Sequence, residues 1–412
     1  MVSKSLLLLS FLLITSASFA GNLKENLYRL AEKYLKQDNY ITALEIFTFL
    51  GNYKNSPQLK KKVAKFFQPI KVSLNKEPNI RVAFAKNFKT FRLVCGKYTY
   101  RGRYENGLYL FRGRFLKSIH LKVDSENCKL FVDRVLKTYL PKGVGVKLIN
   151  YGGSLLILEL PLELYIKGVL PGEVYTSWPL EALKAQAVAS RTYALFNLIR
   201  ARQSGKPFDV GATVNYQVFT GFNHKFPSVE RAVNETRGEF LTYNGGIIYA
   251  MFHSNSGGCT HSFKELFGVD IGYLPSVREP CNMKNLKWSS WKKNLPKVEV
   301  KNFLRRLGVN FTRLEDFRIE RTTCGRGKVA IFKTDTGIYK LPLSFFVRLN
   351  LHLPSDWFFI LSKRGRYYLL AGRGFGHGLG MSQWGAYCLA LNGWNYKGIL
   401  RFYYHSQIKK FY

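Results

Sequence analysis

Acidic residues are scarce in this sequence: 26 Asp and Glu stand against 63 Lys and Arg over 412 residues, a formal net charge of +37. Such an excess draws a chain toward polyanions. The basic residues are scattered rather than clustered, as in a protein that is merely basic throughout, so charge alone leaves both readings open. Long apolar runs are missing after Leu6 to Ile14. No later stretch approaches the ~20 apolar residues of a membrane-crossing helix, which argues against stable membrane insertion. Cys95, Cys128, Cys259, Cys281, Cys324 and Cys388 include no CxxC pair and no zinc-finger spacing, so their connectivity cannot be read from the sequence. The glycine-rich stretch from Gly372 to Gly380 fits neither G-x-G-x-x-G nor a P-loop, and no Lys-Ser/Thr follows it. A nucleotide site is therefore disfavoured.

What is present begins with an export signal. Lys4 precedes the apolar run, and Ser18-Phe19-Ala20 supplies small residues for cleavage before Gly21. That run is too short for a stable span, so residues 1–20 read as a signal peptide. No cysteine follows the run, which argues against a lipid-modified terminus, and no wall-anchoring repeat or sorting signal is visible. The expectation is a protein secreted across the inner membrane to the periplasm or cell wall. There the polyanion is a wall polymer or membrane surface rather than nucleic acid, and an oxidising compartment permits disulfides.

The expected fold class is α+β. Leu23, Leu27, Leu30, Ala31, Tyr34 and Leu35, then Ile41, Leu44, Phe47 and Leu50, recur at helical spacing around a turn at Asp38-Asn39. Residues 21–68 therefore read as a helical hairpin. Its stretch from Ala31 to Leu50 resembles one tetratricopeptide unit, which suits a packing or protein-contact role better than a functional array. The remainder, 69–412, reads as mainly β over 69–160 and mixed α/β over 161–412. The β texture shows in period-two alternation at Ile80, Val82 and Phe84, at Phe91, Leu93 and Cys95, and at Leu156, Leu158 and Leu160. Ser177 suits a helix N-cap with Pro179 in the first turn, and Asn244-Gly245-Gly246 suits a hairpin after Phe240 to Tyr243.

Four segments carry candidate chemistry. Pro171-Gly172 makes a turn bearing Glu173 among Leu170, Val174, Tyr175 and Trp178. An apolar setting there favours the protonated carboxyl that a general acid needs, although a solvated glutamate has the same sequence appearance. On the following helix, Lys184 and Arg191 are seven residues apart, close to two turns, so they share a face. That face is either a common site or a solvated basic surface. His253-Ser254-Asn255-Ser256-Gly257-Gly258-Cys259-Thr260-His261 offers metal-ligand types. A Cys259–Cys281 disulfide is the alternative use of the same sulfur, and the residue types favour it. In the segment Gly372 to Ala386, alternate glycines allow close backbone approach, while His377, Gln383 and Trp384 suit a polar, stackable substrate such as a sugar.

In this order the segments resemble the stage II sporulation protein D (SpoIID/LytB) family. The resemblance rests on Leu160 to Glu173, Trp178 to Tyr193, Tyr216-Gln217-Val218-Phe219, Ala232-Val233, Thr236-Arg237-Gly238, His253 to Thr260, Tyr273-Leu274 and Gly374 to Ala386. It covers about 75 to 412, so 69–412 becomes the SpoIID-like region, with the small all-β module inserted in it or preceding it.

That resemblance implies a peptidoglycan lytic transglycosylase in which Glu173 is the single general acid/base. Lys184, Gln186 and Arg191 match positions on the following helix and become substrate-positioning candidates, together with Tyr216, Gln217, His377, Gln383 and Trp384. Some relatives hold a structural zinc through residues matching His253 and Cys259. Their further cysteine falls near Glu265 here, so zinc is a possible structural addition and no cofactor is required. The implied partners are glycan strands, with a cell-wall amidase or another wall protein met through the hairpin. The competing reading, also associated with the family, is a non-catalytic peptidoglycan-binding enhancer of an N-acetylmuramoyl-L-alanine amidase.

Overall fold

The computed structural model describes residues 22–213, 215–281 and 286–412; the expected signal peptide, 1–20, lies outside them. Helices and several separate sheets are mixed along the chain, so the fold is α+β as expected. Contacts divide the chain into two compact units. The first comprises Met1–Gln68, Phe252–Cys388 and Phe402–His405, and the second Pro69–Met251, Leu389–Arg401 and Ser406–Tyr412. No described helix is long and apolar enough to cross a membrane.

In the first unit a helix over 22–36 turns at 37–39 into the helix Tyr40–Leu50, and a further helix spans Ser56–Ala64. Asn39 makes the turn by accepting the Thr42 N–H at 3.3 Å, a side-chain cap for an orphan helix donor. Leu27, Ala31, Leu44 and Phe47 are fully buried, so the helical spacing read from the sequence marks the packed face. Glu45 is buried too, and its carboxylate accepts the N–H groups of Phe345 (3.0 Å) and Phe346 (2.8 Å), fastening the hairpin to the turn Leu343–Val347. Two three-stranded sheets and the parallel pair Phe252–His253 with Met381–Ser382 complete this unit.

The second unit carries a five-stranded sheet in the order Val210–Gly211, Asn79–Lys86, Ser154–Pro161, Gly145–Asn150, Ser118–Lys122. Ser154–Pro161 lies centrally and is buried over nearly its whole length, as a strand covered on both faces must be. A six-stranded antiparallel sheet follows the order Arg114–Leu116, Leu108–Phe111, Tyr98–Glu105, Thr90–Cys95, Cys128–Val132, Val135–Leu140. Phe91, Leu93 and Cys95 are buried on one face of it, which is the period-two alternation seen in the sequence. Glu239–Tyr243 turns through Asn244 and Gly245, both at positive φ, into Gly246–Ile247. These are the conformations that a tight hairpin requires.

Three helices of this unit position the carboxylate site: Leu162–Glu173, Leu180–Gln203 and Pro227–Glu235. The long helix is buried on almost every side, which its Ala185, Ala187 and Ala189 permit. Its start corrects the expectation for Ser177. The helix begins at Leu180, and Pro179, at φ −50° and ψ 139°, precedes it with its carbonyl accepting from Ala182 and Leu183. Ser177 is exposed and makes no cap.

Candidate functional site

Glu173 does not sit on a free turn. It is the last residue of the helix Leu162–Glu173, with Pro171 inside the final turn. Proline ordinarily breaks a helix by removing a donor and crowding the preceding turn. Here the helix stops two residues later, so the disruption is confined to its end. The segment 217–220 lies across that end: Thr220 donates its N–H to Gly168 O at 3.0 Å, and Val218 donates its N–H to Glu173 Oε1 at 2.7 Å. Two glycines make the approach possible. A Cβ on Gly168 would stand 2.4 Å from the Phe219 ring, and one on Gly172 would stand 2.6 Å from Val218 O. The half-buried carboxyl is thereby oriented by a backbone donor.

Behind it lies a buried polar chain. Tyr165 donates its hydroxyl to Gln217 Oε1 at 3.2 Å, Gln217 Nε2 donates to Ser190 O at 3.3 Å, and Gln186 Nε2 donates to Ser190 Oγ at 2.9 Å. Burial pushes the Tyr165 and Tyr193 hydroxyls well above the usual phenol range, and the negative charge of Glu173 adds to the effect on both. Gln186 and Gln217 are almost wholly enclosed. Both expected substrate contacts are thus placed in the interior, where their amides join the helices to the 217–220 segment. Tyr216 is half-buried and packs against the apolar cluster of Ala83, Leu155, Ile157 and Phe208.

Lys184 and Arg191 do share a helix face, but that face packs toward the helix Pro227–Glu235 and neither side chain is free. Lys184 Nζ pairs with Glu181 (3.0 Å) and Glu235 (2.6 Å). Burial would lower its pKa, and these two carboxylates override that and raise it. Arg191 is fully buried. It holds Glu163 at 2.7–3.0 Å and donates further to Glu239 O, Val233 O and Thr236 Oγ1. Glu163 in turn accepts from Gly238 N–H at 3.0 Å and the Tyr412 hydroxyl at 2.9 Å. The guanidinium of Arg191, expected as a substrate-positioning group, is thus held by partners inside the fold.

His253, Cys259, His377, Gln383 and Trp384 lie in the first unit. The glycine loop packs on the His253 segment itself. Phe375 bridges to Asn255, and a Cβ on Gly376 would stand 2.9 Å from His253 Cβ. His377 stacks on Phe345 with ring centroids 5.5 Å apart, and burial with the nearby Arg348 and Arg326 pushes its pKa down to about 3. It is a neutral, part-buried imidazole held against Phe345. Gln383 is buried at the start of the helix Gln383–Leu391, and Trp384 donates its N–H to Ser254 O at 2.9 Å.

Cysteine pairing is Cys95–Cys128, Cys259–Cys324 and Cys281–Cys388, which corrects the Cys259–Cys281 expectation. His253 Nε2 is buried without a hydrogen-bond partner, a free nitrogen of the kind a metal would use. The Cys259 sulfur is committed to Cys324, however, and among the described residues no three His, Cys, Asp or Glu side chains converge to hold a metal. The residues as placed do not fit the zinc site that the resemblance implied. Sequence reasoning singled out His261 as a metal-ligand type but missed Arg326 and Asp356, with which it forms a buried network in the same unit. Burial alone would raise Asp356, but the Arg326 and His261 charges hold it well below the usual carboxylate range. No local pattern signals Arg326 or Asp356 as its partners, since they come from distant parts of the chain.

The site is therefore an oriented carboxyl at a helix end within an α+β protein. The sequence model of the SpoIID family (Stage II sporulation protein) matches residues 150–243, which include Glu173, Lys184, Arg191 and Gln217. The chain is 38% identical over 260 residues to an uncharacterized protein of Brachyspira hyodysenteriae, covering 63% of this chain and 69% of that protein. It is 30% identical over 266 residues to stage II sporulation protein D of Bacillus amyloliquefaciens, covering 60% and 74%. It is also 31% identical over 285 residues to the amidase enhancer of Bacillus subtilis, covering 58% of this chain and 39% of that longer protein. The chain belongs to the SpoIID family.

Proposed function

We propose that this protein is an exported lytic transglycosylase that cuts the MurNAc–GlcNAc bond of peptidoglycan glycan strands. The observation that carries the reading is Glu173, half-buried at a helix C-terminus with Val218 N–H on Oε1 at 2.7 Å. A helix C-terminus carries partial negative charge and disfavours a second one, whereas a backbone N–H stabilises an anion. The combination suits a group that must hold a proton and then take one back.

An ordinary glycosidase needs two carboxylates; this chemistry needs one. Protonated Glu173 donates to the glycosidic oxygen as the bond from MurNAc C1 breaks. The resulting carboxylate takes the proton of the same sugar's C6 hydroxyl, whose oxygen closes on C1. One strand ends in 1,6-anhydro-MurNAc, the other in a free GlcNAc hydroxyl, and no water is consumed. Glu173→Gln is expected to keep the fold and lower anhydro-muropeptide release by about 10²–10⁴-fold, the usual contribution of a general acid/base. Unchanged anhydro products by mass spectrometry would refute the assignment.

A second reading is favoured by the similarity to the amidase enhancer and by the charge of +37. In it the chain binds the wall and assists a hydrolase. Intact purified sacculi separate the two, since the enzyme releases glycan alone and the enhancer only with its partner amidase.

A further inference from the structure

The six-stranded sheet of the second unit has one packed face and one open face, and the open face is unusual in its charges. Phe91, Leu93, Leu130 and Val132 fill the packed side. On the other side Arg92 stands directly opposite Arg101 on one neighbouring strand and Phe131 on the other. Two residues along those neighbours, on the same face, follow Arg103 and Lys129. Like charges placed directly opposite destabilise a sheet, yet among the described residues no carboxylate pairs with Arg92, Arg101 or Lys129. Glu105, at the margin, pairs with Arg103 at 2.9 Å, and Asp133, at the other margin, accepts the backbone N–H groups of Lys89 and Thr90. Arg101, Arg103 and Lys129 are exposed, and the Arg92 guanidinium lies 4.1 Å over the Phe131 ring. Phe115, 58% exposed, extends the same face beyond Leu110.

We propose that this open face is a docking surface for a glycan strand bearing carboxylates, separate from the Glu173 site. The proposal rests on the peptidoglycan reading for the identity of the polymer. Its chemistry follows from the face. Guanidinium forks bind carboxylates through paired hydrogen bonds, which a point-charge lysine does not reproduce. The exposed Phe115 ring on the same face offers apolar surface to the face of a sugar ring. A muramic acid residue without its stem peptide presents one lactyl carboxylate per disaccharide, so a denuded strand is a polyanion with apolar sugar faces, complementary on both counts. The open face of a sheet, with strands 4.7–4.9 Å apart, accepts an extended polymer without a groove. A lipid surface would instead select apolar side chains projecting beyond the charges. Basic and aromatic sheet faces also bind single-stranded nucleic acid, so that ligand enters the test as an overturning outcome.

The test uses the full chain carrying Glu173→Gln, which prevents cutting, with and without Arg92→Ser/Arg101→Ser/Lys129→Ser. Cosedimentation with insoluble denuded glycan is measured over a salt series. The triple substitution is expected to weaken retention about tenfold, as three exposed charge contacts would, and to flatten the salt dependence. Converting the glycan carboxylates to amides should weaken the unsubstituted face equally and leave the triple variant unaffected. Arg101→Lys, which keeps the charge without the fork, should fall between. Equal retention with an unchanged melting temperature overturns the proposal. So does a loss confined to phosphatidylglycerol vesicles or to oligo-dT. Anhydro-product formation by the unsubstituted enzyme on soluble glycan is read separately, so failure of the cutting reading leaves the docking result interpretable.

Discussion

Removing one partner of the Glu163–Arg191 pair separates an interior role for Arg191 from a substrate role. Glu163→Gln leaves a fully buried guanidinium facing a neutral amide in place of a carboxylate that accepts from it at 2.7–3.0 Å. Truncating one member of a buried ion pair costs about 3–5 kcal/mol, because the remaining charge is desolvated without compensation. For a unit of this size that corresponds to roughly 6–20 °C in melting temperature. The double change Glu163→Gln/Arg191→Met removes the uncompensated charge along with the pair. It should be more stable than Glu163→Gln alone, and the coupling energy between the two sites should be at least ~1 kcal/mol. Thermal unfolding of the parent, Glu163→Gln, Arg191→Met and the double variant, followed by near-ultraviolet circular dichroism, provides the measurement. Arg191→Lys is the decisive control, since a lysine cannot fill the fork that holds Glu163 while also reaching Val233 O and Glu239 O. If Arg191→Lys melts with the parent protein yet needs several-fold more glycan for half-maximal rate, the guanidinium works on substrate and the reasoning from burial is refuted.

Two further expectations follow from other parts of the fold. Burial raises the Glu45 carboxyl from 4.5 to about 7, against the opposing pull of the Phe345 and Phe346 N–H groups and of Arg348, and with a contribution from Asp356. A raised folded-state value means that this contribution to stability is complete below pH 4.5 and is lost as pH rises through 7, by about 3 kcal/mol in all. Glu45→Gln should flatten that slope in melting temperature measured from pH 4 to 8, and an unaltered slope would assign the dependence elsewhere. Gly172→Ala places a methyl 2.6 Å from Val218 O and 2.9 Å from Val218 Cγ1. The 217–220 segment must then withdraw from Glu173, with an expected loss of about 10²-fold in anhydro-product rate for a ~1 Å displacement and a smaller loss in stability of about 1–3 kcal/mol. Full activity in Gly172→Ala would show that the Val218 contact does not orient the acid.

Periodicity was the dependable part of the sequence, because it reports which side of an element meets the core. Phe91, Leu93 and Cys95 alternate inward on their strand, and Leu27, Ala31, Leu44 and Phe47 line the inner face of the hairpin. The same logic shows why the site was only half legible. Spacing put Lys184 and Arg191 on one face of the long helix, and they are on one face. What covers that face depends on Glu163, Glu181 and Glu235, and on carbonyls of the 233–239 stretch, whose arrangement no spacing encodes. Cysteine pairing is undetermined by spacing for the same reason, as six cysteines allow 15 connectivities. Pro171-Gly172 read as a turn because local propensity opposes a helix there. Tertiary contact overrode it once Gly168 and Gly172 let the 217–220 segment dock. That override has a functional consequence. On a free turn, Glu173 would owe its direction to its own rotamer alone. At the end of a helix clamped by Val218 and Thr220, its direction is fixed by backbone. The proposed cut, in which one carboxyl protonates the glycosidic oxygen and then takes the proton of the C6 hydroxyl, needs a fixed direction more than it needs a second acid.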